Sequence, residues 1–317
     1  LTALYEEADA MSHEAEHDTI DYVPDRQRPS RFFGPTPQPV RVEFGAVTHP
    51  GKVRPNNEDH YAVVRRHRTR TVLMTNMPAG TLPPTEEEAY VMVVADGIGG
   101  AAFGEVASMV ALQTGWDLAE RETSWILNVG DDEIHVVPER LDAYLQLINR
   151  RLSEQAHVDP TKAGMGTTLT AAYTVGAEAF IAHIGDSRAY LVRREAIYRL
   201  TRDHTLAQEL VDAGMSKADT AKFGHVLTNF LGGQKHNVVT EARNIPLQHG
   251  DALLLSTDGL TDLVSDEQIL KTVSHGGGPQ EVCQALLDLA LDRGGKDNVT
   301  VVLARYDIPG GKEEDPT

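Results

Sequence analysis

The stretch that most constrains this chain is Val91-Met92-Val93-Val94-Ala95-Asp96-Gly97-Ile98-Gly99-Gly100. Five consecutive apolar residues predict a fully buried strand. An aspartate and three glycines follow, so a carboxylate is delivered at the end of a rigid element. The glycines let the backbone turn sharply and let another group approach closely. Such an end can offer both the Asp96 carboxylate and the Gly97 carbonyl to one hard cation. Taken alone, the stretch reads equally well as a strand that closes in an Asp-Gly turn.

The same device recurs along the chain. Ala252-Leu253-Leu254-Leu255-Ser256-Thr257-Asp258-Gly259 is a second apolar run ending in Asp-Gly, and Phe180-Ile181-Ala182-His183-Ile184-Gly185-Asp186-Ser187 is a third strand ending in Asp. Asp297 stands at the start of a fourth, Asn298-Val299-Thr300-Val301-Val302, and Arg54-Pro55-Asn56-Asn57-Glu58-Asp59 places an acidic pair ahead of a fifth. Carboxylates gathered at strand ends repel one another unless cations lie among them. None of these motifs pairs with a His/Cys ligand set. All-oxygen donors point to Mg2+ or Mn2+ and away from Zn2+.

In this order, the motifs resemble those of the metal-dependent serine/threonine protein phosphatases of type 2C, in their bacterial form, over about residues 41–307. The resemblance implies an enzyme that hydrolyses phosphoserine and phosphothreonine by attack of a metal-bridging water or hydroxide, with no Cys or Ser nucleophile. It assigns Asp96 as the carboxylate bridging two ions. Asp258 and Asp297 complete the first metal site, and Glu58 with the Gly97 carbonyl serves the second. Asp59 acts through a metal-bound water, Arg54 holds the substrate phosphate, and Asp186 with Asp258 holds a third ion. The expected cofactors are two Mn2+ or Mg2+ ions, with a third at Asp186. The expected partners are phosphorylated proteins, substrates of a serine/threonine kinase, and the family default is a monomer. Two positions depart from the pattern. Ile98 stands where some relatives carry a His as general acid, and Asn229-Phe230 stands where Arg-Ala is usual, next to the flap expected over Gly214 to Phe223.

Other residues read more plainly. Thr167 and Thr168 are expected to be structural, His183 to be a hydrogen-bonded buried imidazole, and Asp262 to be a helix cap or a second-line acceptor. Two other functions stay open at this level. One is a catalytically weak, phosphatase-like scaffold; the other is a phosphatase for a small phosphate ester, since metals and Arg recognise phosphate and not the leaving group.

The chain of 317 residues, 41% hydrophobic, can hold one large domain or two. Its 29 Lys+Arg against 47 Asp+Glu give a net charge of -18, which disfavours nucleic acid or an anionic membrane surface as partner. The single Cys283 excludes an intrachain disulfide; its apolar helical surroundings predict a buried thiol and suit a reducing compartment. No apolar stretch reaches the roughly 18 to 20 residues of a membrane span, and no basic-then-apolar pattern opens the sequence, so a cytoplasmic location is expected.

Three regions are expected: an acidic then Pro-rich extension over 1–40, a catalytic domain over 41–307, and a disordered tail over 308–317. Strands are predicted from Arg41 to Thr48 and His60 to Val64, then a long loop over 75–89. Helices are predicted from Phe103 to Glu120, Glu139 to about Gln155, and Pro279 to Arg293. Between them, short loops predict a meander of antiparallel strands near Thr167 to Val175, Ala179 to Asp186, Arg188 to Arg193 and Ile197 to Leu200. The pattern predicts an α+β fold with two mainly antiparallel sheets covered by helices. The family's four-layer α-β-β-α sandwich, with metals at one edge between the sheets, is such a fold.

Overall fold

The computed structural model describes residues 40–78, 81, 85–99, 103–121, 137–233 and 237–309. All but Val40 of the expected N-terminal extension, and all but the first two residues of the expected tail, lie outside the described residues. Val40 and Ile308 both pack against the core, so the folded body reaches past each expected boundary.

Among the described residues, β1 (Arg41–His49), β2 (His60–Arg70), β3 (Thr85–Ala95) and the short β4 (Gly97–Ile98) precede helices α1 (Phe103–Arg121) and α2 (Val137–Val158). Five strands follow: β5 (Gly166–Thr167), β6 (Leu169–Val175), β7 (Glu178–Ile184), β8 (Arg188–Arg193) and β9 (Ala196–Arg199). Helices α3 (Leu206–Asp212) and α4 (Lys217–Thr220) lead to β10 (Leu231–Gly232), β11 (Glu241–Pro246) and β12 (Ala252–Ser256). The chain closes with α5 (Asp258–Thr261), α6 (Asp266–Ser274), α7 (Pro279–Asp292) and β13 (Val299–Asp307).

Two five-stranded sheets run β1-β13-β12-β8-β9 and β11-β7-β6-β3-β2, and a short third sheet runs β10-β5-β4, with antiparallel pairing throughout. Neighbouring strand residues point to opposite faces, and here both faces of each sheet are covered. Leu253, Leu255, Val302 and Ala304 of the first sheet meet Met92, Val94, Ala172 and Ile181 of the second. Their neighbours Leu254, Val301 and Leu303 turn outward onto Ile269 of α6 and Val282, Cys283 and Leu286 of α7. On the far side of the second sheet, Leu169, Ala182 and Ile184 pack against Ala107 and Ala111 of α1 and Leu145, Ile148 and Leu152 of α2. The layers are therefore helix, sheet, sheet, helix, as expected. Two-sided burial is why the runs ending at Ala95 and Ser256 are apolar without alternation. Cys283 is fully buried, and burial pushes its thiol up to about 12.

Two predicted elements need correction. The stretch over 75–89 is not loop to its end: β3 begins at Thr85, and Glu86, Glu87 and Glu88 pair with Thr69, Arg68 and His67 of β2. Glu88 lies 3.9 Å from Arg65, and β2 extends to Arg70. The meander is also divided. β6 and β7 belong to one sheet, β8 and β9 to the other, and β7 does not pair with β8. The chain switches sheets at Gly185-Asp186-Ser187, with Gly185 at φ +114°, a conformation that favours glycine.

Leu254 is fully buried between sheet and helices. Leu254→Ala is expected to lower unfolding free energy by about 2–5 kcal/mol, measured by urea denaturation. A loss well under 1 kcal/mol would contradict this packing.

Candidate active site

Each predicted acidic residue sits at a strand end. Asp59 precedes β2, Asp96 follows β3, Asp186 lies at the sheet switch, Asp258 follows β12, and Asp297 stands two residues before β13. Neutral side chains tie these ends together across the two sheets. Oδ2 of the buried Asp59 accepts hydrogen bonds from Thr257 Oγ1 at 2.8 Å and Thr300 Oγ1 at 2.7 Å. Thr257 Oγ1 accepts in turn from the Thr300 amide at 3.0 Å. Asn298 lashes the loop before β2 to β13: its Nδ2 donates to the carbonyls of Pro50 and Asn56, and its Oδ1 accepts from the Glu58 amide at 2.7 Å. The backbone of Asp96 is gripped by Thr168, which donates its amide to Asp96 O at 2.9 Å and accepts from Asp96 N on Oγ1 at 3.0 Å.

The glycines after Asp96 serve close approach. A Cβ on Gly97 would meet the Gly104 carbonyl oxygen at 2.2 Å, and one on Gly104 would meet Glu58 Oε2 at 2.6 Å. The first turn of α1 thus lies directly against Glu58 and Gly97, where the positive end of a helix favours a carboxylate. Arg54 sits at the rim, with Nη2 2.6 Å from Asp297 Oδ2 and both side chains partly exposed.

The cluster is electrostatically crowded. Burial, then the charges of Asp59, Asp258, Asp186 and Asp297, push the Asp96 carboxyl well above the usual range. Asp258 is raised in the same way by burial and by Asp186, Asp262, Asp297 and Asp59. Burial pushes Asp59 to about 7 despite the opposing bonds from Thr300 and Thr257, and pushes Asp186 to about 7 with help from Asp203. Glu58 is raised by burial against the pull of Arg54. Two carboxylate oxygens, Asp59 Oδ1 and Asp258 Oδ1, are buried with no hydrogen-bond partner. An orphaned buried acceptor is costly, and an all-oxygen set with two such atoms fits hard divalent cations.

A separate group of side chains lies closer together than these carboxylates do. Among the described residues, His183, His204 and Glu241 are the group whose potential ligand atoms fall within 4.8 Å of one another; the carboxylates at the strand ends stand further apart. The trio is nevertheless a hydrogen-bonded network. His183 bonds Thr170 Oγ1 and the Arg202 carbonyl, His204 Nδ1 accepts from the Gly185 amide, and Glu241 accepts from the Arg202 amide and from Arg243. His183 is the satisfied buried imidazole its apolar setting predicts, and burial pushes it down to about 3.

The sequence reading missed several contributors. Thr257 and Thr300 brace Asp59, and Asn298 holds the loop carrying Glu58; Thr257 and Asn298 adjoin Asp258 and Asp297 in sequence, which is the available signal, whereas Thr300 stands three residues beyond Asp297 with none. Asp262 closes the C-terminal end of α5, and its charge raises Asp258 and Asp186, so it joins the acidic group electrostatically.

A carboxyl whose pKa is higher in the folded than in the unfolded chain binds more protons when folded, so stability falls as pH rises between the two values. For Asp59 and Asp186 that window runs from about 3.8 to about 7. The protein in excess chelator is expected to lose melting temperature from pH 4 to pH 7 and then level off. Excess Mn2+ should raise the melting temperature most at the upper end. A chelated protein whose melting temperature climbs across this window would contradict the crowded cluster.

A family model for protein phosphatase 2C matches residues 83–288. The chain is 31% identical over 265 residues to protein phosphatase PhpP of Streptococcus pneumoniae, covering 83% of this chain and 96% of that protein. It is 34% identical over 268 residues to serine/threonine protein phosphatase PstP of Mycobacterium tuberculosis, covering 83% of this chain and 45% of that longer protein. The crystal structure of the catalytic domain of PstP in complex with two manganese ions aligns with a TM-score of 0.64 at 33% identity, over 85% of this chain and all of that one. The serine/threonine phosphatase of S. agalactiae aligns with a TM-score of 0.66 at 30% identity, over 83% of this chain and 99% of that one. Sequence and fold agree, and the chain belongs to the protein phosphatase 2C family.

Proposed function

We propose that this metal-dependent serine/threonine protein phosphatase works through the carboxylates at its strand ends, with residues 41–307 as the catalytic unit. The observation that carries the site is the pair of buried, unpartnered oxygens on Asp59 and Asp258 within a crowd of raised carboxyls. Asp96, Asp258 and Asp297 would hold one divalent ion, and Asp96, Glu58 and the Gly97 carbonyl would hold the other. Two Mn2+ or Mg2+ ions bound there supply an acidified water and neutralise charge on the phosphoryl oxygens.

The chain's own groups do the rest. Asp59, gripped on Oδ2 by two threonines, keeps Oδ1 free to accept a hydrogen bond from a water in the cleft. The Asp59 carboxyl is thereby oriented by neutral hydroxyl donors. Arg54, half exposed at the rim, holds the substrate phosphate, for which its planar fork is matched by geometry. Its contact with Asp297, a member of the proposed ligand set, supports this role. Ile98 has no proton to give and takes no part in protonating the leaving group. Asp186 and Asp258 hold a third, weaker ion.

The expected substrates are proteins phosphorylated by a serine/threonine kinase, in a signalling role in the cytoplasm, acted on by a monomer. No described helix is long and apolar enough to cross a membrane, and the net charge of -18 argues against nucleic acid or an anionic membrane surface as partner.

The test is phosphate release from an aryl phosphate, a phosphothreonine peptide and small phosphate esters, with Mn2+, Mg2+ or chelator. Activity is expected to need metal and to fall more than about a hundredfold in Asp258→Asn, since even partners that only support a metal ligand are worth 10–100-fold. Arg54→Ala is expected to lower kcat/KM for the peptide by about 10–100-fold, the worth of a charged hydrogen bond. Small esters turned over far faster than every phosphopeptide would overturn the protein-phosphatase reading. A folded protein inactive with every metal would favour the scaffold.

A further inference from the structure

Asp186 lies in the three-residue link by which the chain passes from β7 in one sheet to β8 in the other. Its own neighbours are held from two directions. On one side is Thr168, 1% exposed. Its Oγ1 pairs with Ser187 Oγ at 2.8 Å while accepting from the Asp96 amide, and its Cβ and Cγ2 fill the space a side chain on Gly185 would take, at 2.5 Å. On the other side is His204. Its amide donates to the Gly185 carbonyl at 2.7 Å, and its ring Nδ1 accepts from the Gly185 amide at 3.0 Å. The backbone of Gly185 is thus clasped at both its polar groups by one residue.

His204 also marks the base of the segment 205–227. Its carbonyl accepts from the Thr228 amide at 2.9 Å, Leu206 bonds the Val226 carbonyl, and Thr205 bridges Leu227. The amide of Asn229, in the position where Arg is usual, lies 3.1 Å from the same Nδ1 and bonds Val239 in both directions.

We propose that Thr168 and His204 are positioning residues for Asp186. Thr168 ties the sheet-switch link to the Asp96 turn, and His204 ties it to the base of the 205–227 segment, so the Asp186 carboxylate is set by both. The inference rests on the reading of Asp186 as a ligand of the weaker third ion.

The chemistry allows a sharp test. The acceptor that matters is Nδ1, and Asn places its Oδ1 at the same distance along the side chain, whereas Gln carries its oxygen one bond further out. Both changes preserve the backbone bonds of residue 204. Mn2+ binding would be titrated calorimetrically on the full chain for the wild type, Asp186→Asn, His204→Asn and His204→Gln, with hydrogen exchange read over 205–227. His204→Gln is expected to weaken the weakest Mn2+ site about five- to tenfold, the worth of one hydrogen bond, and to speed exchange over 205–227. His204→Asn should stay within about twofold of wild type in both readouts. A Thr168→Val and Thr168→Ser pair repeats the test should His204→Gln fail to fold: Val keeps the shape but loses the hydroxyl, and only Val should weaken the site. Wild-type binding and exchange in His204→Gln, or equal damage in Asn and Gln, would overturn the inference. So would a folded Thr168→Val that binds like wild type. An unchanged weakest site in Asp186→Asn would remove the Asp186 reading and this inference with it. A weakened Asp186→Asn beside an unaltered His204→Gln would remove the inference alone.

Discussion

Like charges brought together in a half-buried cleft raise one another's free energy, and the rest of this fold answers that constraint. Asp59, Asp96, Asp186 and Asp258 each carry a carboxyl pushed upward by burial and, in every case, by another acid nearby. Held on loops alone, such groups would move apart. Here each is anchored at the end of a strand or at the switch between strands, and the donors that fix them are mostly neutral. Thr257 and Thr300 grip Asp59, Thr168 grips the backbone of Asp96, and the Asn298 amide holds the turn before Glu58. Neutral donors orient a carboxylate while leaving its charge available to a cation.

The rigidity of the strand ends comes from burial on both sides. The two sheets share one apolar layer and each has a helical cover, so β12 and β13 cannot shift along each other without exposing residues on both faces. The cross-sheet bond from Thr300 to Asp59 joins residues 241 apart in sequence, and it lies where the register of both sheets is already determined. The segment 205–227 carries only short helices and is joined to the body at the Thr205–Leu227 bridge and by the Arg202–Asp212 ion pair.

Much of this was legible in the residue order. An apolar run ending in Asp-Gly is visible without any structure, and its repetition identified most of the acidic set. What was not legible depended on partners distant in sequence. Glu86 to Glu88 look like a solvated loop by composition, yet their backbone pairs with Thr69, Arg68 and His67 of β2 and forms strand. The link at Gly185-Asp186-Ser187 looks like a hairpin turn, yet it crosses between sheets, since short loops indicate adjacency and not which sheet receives the next strand. Arg54 reads as a phosphate ligand, and its contact with Asp297 emerged only from the way the loop after β1 folds over the start of β13.

By itself the sequence determined the repeating strand-then-carboxylate device, the oxygen-only character of the donor set, the two-sided burial of the central strands and the α+β class, because each follows from local periodicity and residue chemistry. Tertiary structure decided which carboxylates share a cleft and which oxygens are left unpartnered. It also decided which hydroxyls and imidazoles position them. These depend on sheet order and register, which bring residues such as Asp59 and Thr300 within hydrogen-bond distance, and no local pattern encodes such a meeting.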